Sequence, residues 1–129
     1  MSRDYLAYSV RFYAEARDRI GERFQRLSAE WPENDGAPTK RIVFYGCGEV
    51  AEIGYICIQS TDLSLVGVVA DGPRTRFFGL DVRSTADLRP HRLGSAQFDR
   101  LVVMEFGARS AVESQLAIAG YPAADVFWI

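Results

Sequence analysis

Only two cysteines, Cys47 and Cys57, and one histidine, His91, occur in the 129 residues. Such a set holds too few soft ligands for a zinc site and gives no disulfide framework, so a reducing compartment is the simple reading. No stretch approaches the roughly 20 apolar residues of a membrane span, and charges interrupt the first twenty residues where a signal peptide would be unbroken. The expected location is therefore cytoplasmic, without a membrane partner. Excess charge is missing too: 15 basic residues stand against 17 acidic ones, for a net charge of -2. That balance argues against a broad nucleic-acid surface while leaving local arginine clusters open. With 48% hydrophobic and 25% charged residues, the composition is that of a folded chain. Its length allows one core and little room for a separate catalytic domain.

Proline is absent from residues 4 to 31, and Gly21 is the lone interior glycine there, which predicts one long helix. Positions 6, 10, 13, 17, 20, 24, 27 and 31 step alternately by four and three. They carry Leu, Val, Tyr, Arg, Ile, Phe, Leu and Trp. An apolar stripe of this period buries one side of a helix, either against its own domain or against a second copy in a homodimer. Residues 1–33 are thus read as a packing or oligomerisation helix, with Ser2 as its cap. Residues 34–40, following Pro32 and including Gly36 and Pro38, form a connector, and 41–129 are the compact domain.

In that domain short apolar runs alternate with helical segments. Strands are expected at 41–45, 63–70, 100–106 and 124–129, with a short strand or irregular crossover at 77–82. Helices are expected at 49–60 and 110–120. Ser84 with Asp87, and Ser110 with Glu113, have the spacing of capping boxes, and Gly120 is a helix stop. Near-continuous Val, Ile and Leu in the central strands suit a parallel sheet covered on both faces. The fold expected is α/β: a Rossmann-like, doubly wound parallel sheet of about five strands with an added N-terminal helix.

Gly46-Cys47-Gly48-Glu49-Val50-Ala51 fits G-x-G-x-x-G/A between a strand and a helix. In that pattern Gly46 permits the tight turn, Gly48 lets a pyrophosphate reach the backbone, and Ala51 lets helix and strand approach. The unpaired N–H groups at the helix start would face the phosphate. Glu49 counts against this, since its carboxylate would compete with phosphate. Asp71 lies at the end of the next strand, where an acid accepts ribose hydroxyls, although Gly72 and Pro73 make it equally a turn former. Arg74 and Arg76 could hold a 2′-phosphate, a diphosphate or coenzyme A phosphates, or could be solvated.

Glu105 ends a strand on the ligand side, as a hydroxyl-binding group, a base, or the partner of Arg109; the last is the favoured reading. Neither His91 nor Cys47 is paired by sequence with an acid, base or nucleophile, so binding without turnover is expected of the isolated chain.

Residues 41–82 also resemble the front half of Rossmann-type domains in sugar-nucleotide-modifying proteins and some bacterial regulators. The likeness rests on Gly46, Gly48, Glu49, Val50 and Ala51, then on Asp71, Gly79 and Val82, with Ala70 where those families carry a second acid. It implies a ligand such as NAD(P) or a nucleotide sugar, with coenzyme A ranked below them. The functional expectation is a nucleotide-binding or ligand-sensing module in a homo-oligomer or larger assembly. The alternatives are an NAD(P)- or nucleotide-sugar-dependent enzyme subunit, and a structural dimerisation module with a vestigial glycine turn.

Overall fold

The computed structural model describes residues 3–31, 40–105, 109–121 and 126–129, with side chains in the first helix from residue 14 onward. Ser2, Pro32, Gly36 and Pro38, on which the cap and connector were read, lie outside the described residues.

Helix α1 spans Arg3–Ala29 and is followed by strand β1, Lys40–Tyr45. Helix α2 is Glu49–Ile58 and strand β2 is Leu63–Val69. The segment at 77–82 resolves into a hairpin of β3, Arg76–Phe77, and β4, Leu80–Arg83. A single 3₁₀ turn, Thr85–Asp87, leads into the two-residue strands β5, Leu88–Arg89, β6, Arg92–Leu93, and β7, Ala96–Gln97. Strand β8 is Arg100–Val103, helix α3 is Arg109–Ile118, and β9 is Val126–Trp128.

The main sheet has the order β3-β4-β2-β1-β8-β9. All its pairings are parallel except the β3–β4 hairpin. The fold is thus mixed α/β and broadly Rossmann-like, with its five parallel strands running third, second, first, fourth, fifth in chain order. Two connections depart from a regular winding. No helix separates β2 from β4, and the β5–β6–β7 meander occupies the crossover between β4 and β8.

Alternation along the strands builds two cores. Ile42, Phe44, Val68, Val102 and Met104 face α1 and α2, while Val43, Tyr45, Val69, Leu101 and Val103 face α3 and the meander. The α1 stripe is filled by its own chain: Ile20 and Phe24 are fully buried, and Ala16 and Leu27 nearly so, in the first core. Of the two readings of the stripe, these four residues follow packing against the helix's own domain. At the helix end, Lys40 Nζ donates to the Ser28 carbonyl at 2.7 Å and pairs with Asp62 at 2.7 Å. The Lys40 bond holds the Asp62 carboxyl below its ordinary range, with a Ser28 bond adding to the effect.

Two capping readings fare differently. Ser84 caps the 3₁₀ turn by accepting from the Ala86 N–H, whereas Ser110 lies inside α3, which starts at Arg109. Gly120, with φ +77, closes α3 as its helical pattern predicts. Its N–H donates to Ala117 O at 3.0 Å, and Tyr121 N–H reaches Leu116 O at 2.8 Å, the two bonds of a Schellman motif.

Close helix packing depends on a glycine that the turn motif does not include. A Cβ at Gly54 would lie 2.2 Å from Met104 Cε and 3.2 Å from the Phe24 ring. Alanine gains about 1 kcal/mol in helix propensity, but overpacking a filled core costs about 1–3 kcal/mol. Gly54→Ala is therefore expected to lower stability by about 1 kcal/mol in urea denaturation, and Met104→Ala should cost less in the Gly54→Ala background than in the parent. Additivity of the two single effects would contradict this packing.

Candidate functional site

Strand β1 is buried from Ile42 to Tyr45 and delivers the chain to Gly46 at the carboxyl edge of the sheet. Gly46 N–H donates to Val69 O at 2.8 Å, and its φ of +115 is open to glycine and strained for other residues. A side chain there would also meet Glu105 Cγ at 3.0 Å and Met104 O at 3.3 Å. Gly46 thus does what the motif assigns it.

Gly48 differs. It is the N-cap of α2 in extended backbone, offers no side-chain cap, and has nothing within 4 Å of where a Cβ would stand. Cys47 and Val50 are half-buried, Glu49 is exposed, and Ala51 is fully buried in the α1–α2 core. The small residue at 51 is accordingly explained by packing.

Arg74 is brought to this turn and Arg76 is not. Arg74 Nη1 donates to Cys47 O at 2.7 Å and to Glu52 Oε1 at 2.7 Å, and the guanidinium lies 5.0 Å from the Phe77 ring centre. Arg76 binds Asp81 at 2.5 Å and the Gly79 carbonyl at 3.1 Å, bracing the β3–β4 hairpin. One arginine is a strut beside the glycine turn, and the other belongs to a surface ion pair.

Asp71 is exposed and accepts from Thr85 N–H at 3.1 Å and Thr85 Oγ1 at 2.7 Å. It ties the end of β2 to the segment after β4, consistent with its turn-forming reading. Each carboxylate oxygen has two lone pairs, so these bonds leave capacity for a ligand hydroxyl. Glu105 does not pair with Arg109: that guanidinium binds Glu113 at 2.9 Å, one helical turn on, and sits 4.4 Å over the Trp128 ring.

Glu105 instead lines a cavity of about 250 Å³ with Tyr45, Ala70, Asp71, Ala111, Val112 and Gln115. The cavity lies between β1 and β8, where the strand order reverses, the usual ligand crevice of an open α/β sheet. Tyr45 donates its hydroxyl to Gln115 Oε1. Burial, then the negative charges of Asp71 and Glu105, raise the Tyr45 pKa, so the phenol stays protonated and is a poor general base. Tyr45 and Gln115 escape a reading by motif. The available signal was position, since Tyr45 is the last strand residue before the turn.

Cys47 and Cys57 are free thiols, and burial raises the Cys57 pKa. His91 sits in the β5–β6 turn, outside this cavity. Among the described residues no group of three His, Cys, Asp or Glu side chains is placed to hold a metal, and no helix is long and apolar enough to cross a membrane. The chain matches no family model, no curated protein and no solved structure.

Proposed function

We propose that this chain is a small module that binds a nucleotide-like ligand, with phosphate against residues 46–51 and a ribose or sugar hydroxyl at Asp71. The observation that carries the reading is Gly48: an uncapped helix start with open space above it, at the carboxyl edge where the strand order reverses. Backbone N–H groups at a helix start, with the helix dipole behind them, favour an anion. Arg74 adds positive charge beside the turn, partly offset by Glu52. Arg76 is left out of the site. NAD(P) and nucleotide sugars are the ligands of choice, with coenzyme A below them.

Binding without turnover is the preferred form of this reading, because the Tyr45 phenol that lines the cavity with Asp71 and Glu105 is held protonated. Self-association as a homodimer is kept as a proposal for surfaces other than Phe24 and Leu27, which the chain buries itself.

Gly48→Asp tests the site cleanly. Its backbone, φ -84 and ψ -160, suits any residue, and aspartate is an N-cap better than glycine by a few tenths of a kcal/mol. Stability should hold or rise slightly, while the new carboxylate fills the phosphate position. Calorimetry with NAD, NADP, coenzyme A and uridine-diphosphate sugars at millimolar concentration should give saturable binding for at least one. That binding should weaken at least tenfold in Gly48→Asp. Silence across the panel, or equal binding by the variant, would sink the proposal.

A further inference from the structure

The β5–β6–β7 meander turns one face inward and one outward. Leu88 and Leu93 are buried against the sheet, while Arg89, Arg92 and Gln97 are exposed. Arg89 stands directly opposite Arg92 across β5 and β6, and Arg92 opposite Gln97 across β6 and β7. Like charges at paired positions, with Cβ atoms about 5 Å apart, oppose folding. A meander of two-residue strands has little pairing energy to offset that repulsion, and no carboxylate lies in the row.

The surroundings do not quench this charge. The row opens on a cavity of about 560 Å³ lined also by Arg41, His91 and Asp99. Asp99 is the one acid in that lining, and Arg41 occupies it through its backbone N–H at 3.0 Å and through Nε and Nη2 at 3.4 Å each. Arg89 Nη1 donates to Ala86 O at 3.0 Å and Leu88 O at 2.7 Å. These bonds fix the guanidinium in place and leave its other two nitrogens available. Among the described residues the Arg92 and Gln97 side chains have no hydrogen-bond partner or ion pair. The turn joining the two arginine positions holds His91 at φ +60, a conformation uncommon outside glycine. Local strain and like-charge pairing coincide at one cavity.

We infer that this cavity is an anion site for a phosphoryl group, held by Arg89, Arg92 and Gln97. One guanidinium held by backbone carbonyls and a second, across the strand pair, with no partner of its own among the described residues match the several acceptor oxygens and double charge of phosphate. The amide of Gln97 adds a neutral donor. This site is distinct from the glycine turn: Arg41 and Asp99 belong to the amino ends of β1 and β8. The five steps along the chain from Arg41 to Gly46 put the turn roughly 17 Å away at about 3.3 Å per residue.

Calorimetric titration of the whole chain with inorganic phosphate and with ribose 5-phosphate, at constant ionic strength set by chloride, tests the inference. Saturable binding is expected. Arg92→Glu should weaken it at least tenfold while the melting temperature holds or rises, because the exchange replaces an Arg–Arg pair by an opposite-charge pair. Arg92→Gln gives a second variant in which the acceptor charge is absent, and it should also weaken binding. Run in the Gly48→Asp background, where the glycine turn is filled, the titration should still show the binding that depends on Arg92. Tighter binding of ribose 5-phosphate supports the site with a phosphorylated metabolite as occupant; equal binding supports it with free phosphate. No saturable signal, equal affinity in the Arg92 variants, or no Arg92-dependent binding left in the Gly48→Asp background would overturn the inference.

Discussion

Replacing Phe24 with alanine is expected to cost about 3–5 kcal/mol, the range for removing a fully buried aromatic ring. Phe24 has no exposed surface. Its ring lies 5.9 Å from that of Phe44 in β1 and within 3.2 Å of where a Gly54 Cβ would stand, so the cavity left behind touches α1, α2 and the sheet together. Domains of this size are stable by about 5–15 kcal/mol, and the loss would remove a large part of that margin. Urea denaturation should show the midpoint fall steeply with little change in slope. A Phe24→Ala protein as stable as the parent, with only its oligomeric mass altered, would return the helix to a role between chains.

The stripe in α1 was legible as a buried face, and its partner was not. Period 3.5 reports that one side of a helix leaves water, and a sheet of the same chain satisfies it as well as a second helix. The parallel strands could be read because both their faces are covered, which forces Val, Ile and Leu into continuous runs such as LVV in β8. The meander could not. Each of its strands has two residues, too few for a period, and its inward Leu88 and Leu93 are surrounded by Arg, Pro, His and Gly.

Site residues divide along the same line. Gly46 was legible because its backbone conformation and close neighbours restrict residue type locally, whereas nothing among the described residues requires glycine at 48. The partners of Arg76, Asp71 and Glu105 depend on register and on which loops meet. Arg76 faces Asp81 because β3 and β4 pair that way, and Asp71 reaches Thr85 because β4 returns beside β2. Arg109 with Glu113 is the exception, a four-residue spacing that local reasoning can find.

The two turn glycines should respond oppositely to substitution, and Gly46→Val is the more damaging change. At φ +115 a β-branched residue stores about 1–3 kcal/mol of backbone strain. Its Cβ would stand 3.3 Å from the carbonyl oxygen of Met104, a residue whose N–H donates to Tyr45 O at 2.9 Å, and 3.0 Å from Glu105 Cγ. Glu105 can swing aside, whereas the carbonyl cannot move without disturbing β8, so overpacking adds about 1–3 kcal/mol. A total on the order of 3 kcal/mol is expected from the two. The displaced Glu105 would also reshape the cavity it shares with Tyr45 and Asp71. Urea midpoints measured side by side should show Gly46→Val well below the parent and Gly48→Asp at or above it. Equal losses at both positions would mean that Gly48, too, is required by the fold, and its open space would no longer speak for a ligand.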